Sequence, residues 1–347
     1  MSSDCQKTKS RFTRREFLRL AALAAAGVGI GAVAEHWLLR NRQPPAGVTI
    51  YKAASYGAPL ERLIREGLRN YPRVLERVRG GRVLLKPNLI EYYDAWRVNT
   101  HPSVVRAAVD AFRAAGAREV IVAEGPGHQR DTELLVEESG LGEVLRSEKA
   151  KFVDLNLDSI HPVSLAANHT RLGRMFFPAT ALGADLIVSL PKLKTHHWAG
   201  VTLSLKNMFG AVPGVKYGWP KNVLHWRGID RSIVDIAVAL KPGFAIVDGI
   251  EGMEGDGPLR GETVNAGVVI MGDNLTAVDA TATRVMGLYP ERVAYLNLML
   301  AHGGTINEGR IRQLGETVRS VRCDFRVLDR FAFLKQPSPW RDFVRGL

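Results

Sequence analysis

Short apolar runs that alternate with segments of helical periodicity constrain this chain more than any other feature. Apolar, β-branched runs near Val48 to Ala53, Arg82 to Lys86, Glu119 to Ala123, Phe152 to Leu155, Leu186 to Leu190, Phe244 to Val247 and Ala266 to Met271 predict strands. Between them, apolar residues three and four apart predict helices near Pro59 to Tyr71, Pro102 to Ala115, Thr132 to Ser139, Asp230 to Leu240 and Leu275 to Met286. Such alternation predicts an α/β fold with a largely parallel sheet and helices on both faces. It leaves open a division into two α/β lobes with the site between them. With 347 residues, 46% of them hydrophobic and 24% charged, the chain has enough apolar material for a well-buried core.

Upstream of this pattern, residues 1–34 join a basic segment to an Ala/Gly-rich apolar run, Leu20 to Ala34. That run is shorter than the roughly 20 strongly apolar residues of a membrane-spanning helix. Thr13-Arg14-Arg15-Glu16-Phe17-Leu18-Arg19 resembles a twin-arginine export signal, with Ala32-Val33-Ala34 as the expected processing point. The alternative is an uncleaved N-terminal anchor, lengthened by Trp37-Leu38-Leu39. Either reading puts the folded domain outside the cytoplasmic membrane, periplasmic or otherwise extracytoplasmic, and makes the twin-arginine export machinery a partner. The expected organisation is signal or anchor over 1–34, linker over 35–47, α/β domain over 48–330 and C-terminal tail over 331–347.

The formal charge is +12. Six basic against two acidic side chains give the first 34 residues +4, which leaves +8 for the rest. The arginines of that remainder are scattered through helices such as Glu61 to Arg79, with no aromatic-interleaved basic run, so a nucleic-acid partner is not expected. A small anionic ligand fits the charge better. Only Cys5 and Cys323 are present, which excludes a cysteine-ligated iron–sulfur cluster and a disulfide framework.

In open α/β sheets ligands bind beyond the carboxyl ends of the strands, so polar residues just after strands are the site candidates. Lys86-Pro87-Asn88 ends one strand, followed by a helix start at Thr100-His101-Pro102, where His101 would sit at the positive end of a helix dipole. Glu124-Gly125-Pro126-Gly127 ends another in a turn that frees backbone amides. The most concentrated stretch is LPKLKTHHWAGVTLSLKN, Leu190 to Asn207. It puts Lys192, Lys194, His196, His197, Lys206 and Asn207 at the start of a long irregular region, Pro191 to Gly228. Lysines and histidines together suit an anionic substrate, proton transfer, or a lysine of lowered pKa. After the strand Phe244 to Val247, the acids Asp248, Glu251, Glu254 and Asp256 fall in a Gly-rich turn system, where Asp248, Glu251 and Asp256 could serve acid–base work or hold a metal ion. Asp273 and Asp279 are candidate supports for a lysine or histidine of the site.

Taken in order, these motifs resemble the domain of unknown function 362 family. The matching residues are Lys86-Pro87-Asn88, Glu124-Gly125, Leu190 to His196, Thr202, Leu205-Lys206-Asn207, Gly210, His225, Asp248-Gly249-Ile250, Gly255 to Pro258, Asp273 and Ala277 to Ala280, within about Val48 to Gly304. Many members carry an added cysteine-rich, ferredoxin-like segment, which this chain lacks. More distantly, His101-Pro102, Glu124-Gly125 and the histidines followed by Lys206 resemble the layout of the lactate racemase family, where a lysine and several histidines hold a nickel pincer nucleotide. That resemblance implies Lys206 for a nucleotide-like cofactor and His101, His196 or His197 for proton transfer.

The functional expectation is an exported enzyme acting on a small anionic metabolite. His196, His197, Lys206 and His101 are its expected catalytic groups; Lys86, Asn88, Glu124, Gly125, Lys192, Lys194, Asn207 and His225 are expected to bind the ligand. The cofactor stays unassigned, with room for a metal ion. The alternative is an extracytoplasmic binding protein without turnover.

Overall fold

The computed structural model describes residues 42–93, 95–127 and 131–337, with Leu39. The signal or anchor expected over 1–34 lies outside the described residues. From Gln43 onward the chain forms one compact unit rather than two lobes.

In chain order its main elements begin with β1 (Ala46–Lys52), α1 (Leu60–Leu68), β2 (Arg82–Pro87), α2 (Pro102–Ala114), β3 (Glu119–Glu124), α3 (Thr132–Glu138) and β4 (Lys151–Asp154). A small antiparallel pair, β5 (Ile160–Ser164) and β6 (Arg174–Pro178), precedes β7 (Leu186–Leu190), β8 (Lys192–His196), β9 (Gly200–Thr202) and the helical turn α4 (Ser204–Asn207). The chain continues through α5 (Ile229–Leu240), β10 (Phe244–Glu254), β11 (Glu262–Gly272), α6 (Leu275–Val285) and β12 (Ile311–Gly315). The main sheet runs β12-β1-β11-β10-β7-β2-β3-β4. Pairing is parallel except where β11 lies antiparallel to β1 and β10, and where β8 and β9 form a hairpin.

Alternate residues of each central strand point to opposite faces. Val83, Leu85, Val120, Val122, Leu186 and Val188 pack with Ile64, Leu68, Val105, Ala108 and Phe112 of α1 and α2. Leu84, Ile121 and Ile187 are just as buried on the other face, where α4, α5 and α6 lie. Strands apolar on both faces are what a covered parallel sheet needs.

Three expectations change. The stretch after Pro191 does not start as an irregular loop. Lys192, Leu193, Lys194, Thr195 and His196 are all buried in β8, because the eleven-residue β10 pairs first with β7 and then with β8, with a register shift between Asp248 and Met253. Asp248, Glu251 and Glu254 likewise sit along β10 rather than in a turn. Gly252 mimics a turn residue in sequence; here it admits the backbone of β8, since a Cβ would crowd Leu193 O at 2.8 Å. Finally, the domain overruns both expected ends. Gln43 is buried and its Oε1 accepts from the amides of Ile306 and Asn307, β1 starts at Ala46, and Leu334 is buried.

Candidate functional site

The carboxyl ends of β2 and β3 meet the β8–β9 hairpin and the segment 206–225 around a cavity of about 310 Å³. Lys86, Asn88, Glu124, Gly125, His196, His197, Lys206, Asn207 and His225 all border it, so nine of the residues singled out in the sequence converge on one place.

At its base Lys86 Nζ donates to Glu124 Oε2 at 2.5 Å, and both side chains are buried. Lys86 also donates to Pro87 O and Asn207 Oδ1, while Glu124 Oε1 accepts from the Gly125 amide. Asn207 is itself fixed, its Nδ2 donating to Lys86 O and Ser189 Oγ. Gly210 makes room for the pair, because a Cβ there would overlap Glu124 Oε1 and Lys86 Nζ. A buried ion pair of this kind needs its remaining lone pairs and protons satisfied, and here they are.

Two further amines join Lys86. Lys221, buried, donates from Nζ to the carbonyls of Gly125, Phe209 and Gly210 at 2.8 to 3.2 Å. Burial pulls its pKa down to about 7. Lys206 projects from α4 with its ammonium 4.4 Å from the centre of the Phe209 ring, a cation–π contact. Among the described residues its Nζ has no hydrogen-bond acceptor. Burial first, and the charge of Lys86 second, lower its pKa from 10.5 to about 8.

The imidazoles are held in opposite tautomers. His196 Nδ1 accepts from the amides of Trp198 and Ala199, so its proton sits on Nε2. Burial, and then Lys206, push its pKa well below the usual value, which keeps the ring neutral. His225 Nδ1 lies 3.2 Å from Lys221 O, an acceptor, so that nitrogen carries the proton and Nε2 keeps its lone pair. Burial followed by Lys206 lowers its pKa to about 4. His197 is more exposed, with Nδ1 3.9 Å from Asp256 Oδ1. The rings of Trp198 and Phe209 flank His225, with centroids 4.9 and 5.1 Å away.

Two buried polar atoms at the cavity, Asn88 Oδ1 and Thr202 Oγ1, have no hydrogen-bond partner among the described residues. Unsatisfied buried polar groups cost about 1–3 kcal/mol each, so their clustering at one cavity points to a ligand that pairs with them.

Other expected site residues lie elsewhere. Lys192 and Asp248 form a second buried ion pair at 3.1 Å. Tyr56 hydroxyl lies 2.6 Å from Lys192 Nζ and 3.1 Å from Asp248 Oδ1, and the His101 amide donates to Asp248 Oδ2. His101 stacks on Tyr56 with ring centroids 3.6 Å apart, and its Nδ1 caps α2 by accepting from the Ser103 amide. None of these four borders the cavity. Lys194 is buried and donates to Val98 O and Pro258 O. The Glu251 amide donates to Tyr56 hydroxyl. Asp273 borders a different cavity, beside Asn274 and Leu275. Asp279 anchors α4, accepting from the Ser204 amide and hydroxyl and the Leu205 amide. It is therefore a positioning residue for Lys206.

The expected metal set does not assemble. Asp248 is committed to Lys192, Tyr56 and His101, Asp256 faces His197, and among the described residues no three His, Cys, Asp or Glu side chains are grouped to hold a metal ion. The residues present therefore do not fit a protein-held metal centre. Sequence reasoning missed Lys221 and Tyr56. Lys221 follows a proline in a loop of ordinary appearance, and only its left-handed backbone, φ 70°, and its three carbonyl partners mark it out.

Fold and site together define an α/β protein with one lysine- and histidine-lined cavity at the strand ends. The chain belongs to the family described as "Domain of unknown function (DUF362)", whose model matches residues 83–284. It is 30% identical over 256 residues to a thylakoid-associated protein of Synechocystis sp., covering 70% of this chain and 74% of that one. Among solved structures, the lactate racemase apoprotein of Thermoanaerobacterium thermosaccharolyticum aligns with a TM-score of 0.44 at 15% identity. That alignment covers 70% of this chain and 58% of the racemase, a likeness too low to assign any property here.

Proposed function

We propose that the cavity binds a small organic anion and carries out acid–base chemistry on it. One observation carries this reading: three lysines and three histidines surround a cavity that a single carboxylate borders, and two of its buried polar atoms lack partners. Three amines against one carboxylate give the cavity, while they are protonated, a field that favours an anion, strengthened by low-dielectric walls; the imidazoles, held neutral, add hydrogen-bonding groups rather than charge. Asn88 and Thr202 would pair with hydrogen-bonding groups on the ligand.

The division of labour follows from the hydrogen bonds. His196, protonated on Nε2, is a fixed donor suited to polarising a ligand oxygen. His225 keeps its lone pair on Nε2 and can accept a proton as a weak base, its pKa held near 4 by burial and Lys206. Lys206, with a pKa of about 8 and no hydrogen-bond acceptor among the described residues, can change protonation near neutral pH. His225 thus moves from expected ligand anchor to proposed base, and His101 leaves the reactive set.

The test has two stages. Calorimetric titration of the purified protein with small mono- and dicarboxylates and phosphate measures binding; proton NMR of the bound compounds in heavy water then follows exchange of their carbon-bound hydrogen. Binding with exchange that Lys206→Ala or His225→Ala abolishes supports the enzyme. Binding without exchange supports a carrier of the same anion. No binding by any of them overturns the reading.

We further propose that the protein is exported by the twin-arginine route, on the strength of Thr13 to Arg19 followed by the short apolar run. Replacement of both Arg14 and Arg15 by lysine should leave the protein in the cytoplasm on cell fractionation; unchanged fractionation would count against export by this route.

A further inference from the structure

We propose that Lys206 is an amine nucleophile that forms an imine with a small carbonyl-bearing anion, an aldehyde or ketone that carries a carboxylate. This deepens the anion-site reading and rests on it.

Three amines stand around one cavity and differ in what holds their protons. An ammonium has three N–H groups. Lys86 spends its three on Glu124, Pro87 O and Asn207, and Lys221 spends its three on the carbonyls of Gly125, Phe209 and Gly210. Loss of a proton would cost either residue a buried hydrogen bond. Lys206 has only the Phe209 ring beside it, so deprotonation costs no hydrogen bond. The charge of Lys86 acts in the same direction, disfavouring a second ammonium, and outweighs the opposing pull of Glu124.

The amine is also held in place. Asp279 binds the amides of Ser204 and Leu205 and the Ser204 hydroxyl, which pins the first turn of α4 against α6 and fixes where Lys206 emerges. The cavity it enters is open to a small molecule and also bordered by His196 and Thr202.

The chemistry balances without an oxidant or reductant. The lone pair of Lys206 Nζ attacks the carbonyl carbon, and the π pair moves to oxygen, to which the His196 Nε2 proton can hydrogen-bond. One proton passes from Nζ to the alkoxide to give the neutral carbinolamine; its hydroxyl takes a second proton from solvent and leaves as water, while the remaining Nζ lone pair closes the C=N bond of a protonated imine that still bears one N–H. The positive charge of Lys86 favours the carboxylate end; Lys221, although burial lowers its pKa to about 7, has all three N–H groups on carbonyls and must give up those contacts to turn a lone pair towards a carbonyl carbon.

Reductive trapping reads the step directly. The full-length protein is treated with glyoxylate and cyanoborohydride near pH 7, and labelled lysines are mapped by peptide mass spectrometry. Lys206 should be labelled at least about tenfold faster than exposed Lys151, since an amine with a pKa of about 8 carries on the order of a hundred times more free base near pH 7 than an ordinary lysine. Oxalate, an anion without a reactive carbonyl, should protect Lys206. Lys206→Arg, which keeps the charge, should lose the fast label and still bind oxalate. If Lys206 is labelled no faster than Lys151 while oxalate binds, the imine is overturned and the anion site stands. If oxalate does not bind either, both fall.

Discussion

Two buried lysine–carboxylate pairs stand on adjacent parts of one sheet, Lys86–Glu124 and Lys192–Asp248, and their surroundings differ in one respect. Around Lys192–Asp248 every polar neighbour is engaged: Tyr56, the His101 amide and the Glu251 amide close a hydrogen-bonded knot under a stacked Tyr56–His101 lid. Around Lys86–Glu124 the pair itself is satisfied, but Lys206, Asn88 and Thr202 beside it are not. The same residue types thus build a strut in one place and a site in the other. Unspent hydrogen-bonding capacity next to an open cavity makes the difference, not residue identity or burial.

The largest test of that contrast is Asp248→Asn. It strands the Lys192 ammonium in the interior and should cost about 3–5 kcal/mol in chemical denaturation, with oxalate affinity per folded molecule unchanged. Lost affinity at full stability would mean that the knot belongs to the site. Lys206→Ala should do the reverse, weakening oxalate binding by about 2 kcal/mol, roughly thirtyfold by calorimetry, while the denaturation midpoint holds or rises because a desolvated, unpaired amine is gone.

The pH dependence sharpens the same point. Lys206 attracts an anion only when protonated, and its pKa lies near 8, so oxalate affinity should be full below that value and fall as the pH rises through it. In Lys206→Arg the part of the fall centred near 8 should vanish, leaving the part near 7 that belongs to Lys221. For stability the sign is opposite: between about 8 and the ordinary 10.5 the unfolded chain binds more protons at this residue than the folded one, so its contribution to stability grows as the pH rises across that window. Loss of that rise in Lys206→Ala, measured by denaturation at several pH values, would tie it to this amine. The smallest effect is expected from Thr202→Val, which removes an orphaned buried hydroxyl. Its stability should stay within about 0.5 kcal/mol of the parent, while oxalate or a hydroxylated anion loses about 1 kcal/mol of binding if the hydroxyl meets the ligand.

Much of this was legible in the sequence. Strands ending in Lys86, Glu124 and Leu190 and helices starting near Pro102 and Leu275 stand where apolar periodicity puts them, because burial on one or both faces leaves a pattern of period 2 or 3.6. The site was legible in part for the same reason: polar residues directly after buried strands must emerge at one end of a parallel sheet. Reading failed where partners were distant in sequence. Lys192 and Lys194 look like ligand-binding groups at the start of an irregular stretch until β10, more than fifty residues later, pairs with them as a strand. Asp248 looks like a metal ligand until Lys192 and Tyr56 claim its oxygens.

By itself, then, the amino-acid sequence determined which end of the sheet collects the lysines and histidines, since strand direction and alternation are local properties. Which of those groups would be left free was decided only by tertiary structure. Lys86, Lys206 and Lys221 are chemically the same residue, and what separates them is how many acceptors the folded chain brings to each: three, none and three. Hydrogen-bond saturation in a low-dielectric interior depends on atoms far apart in the chain, and here it sets one amine apart from two whose N–H groups are all spent.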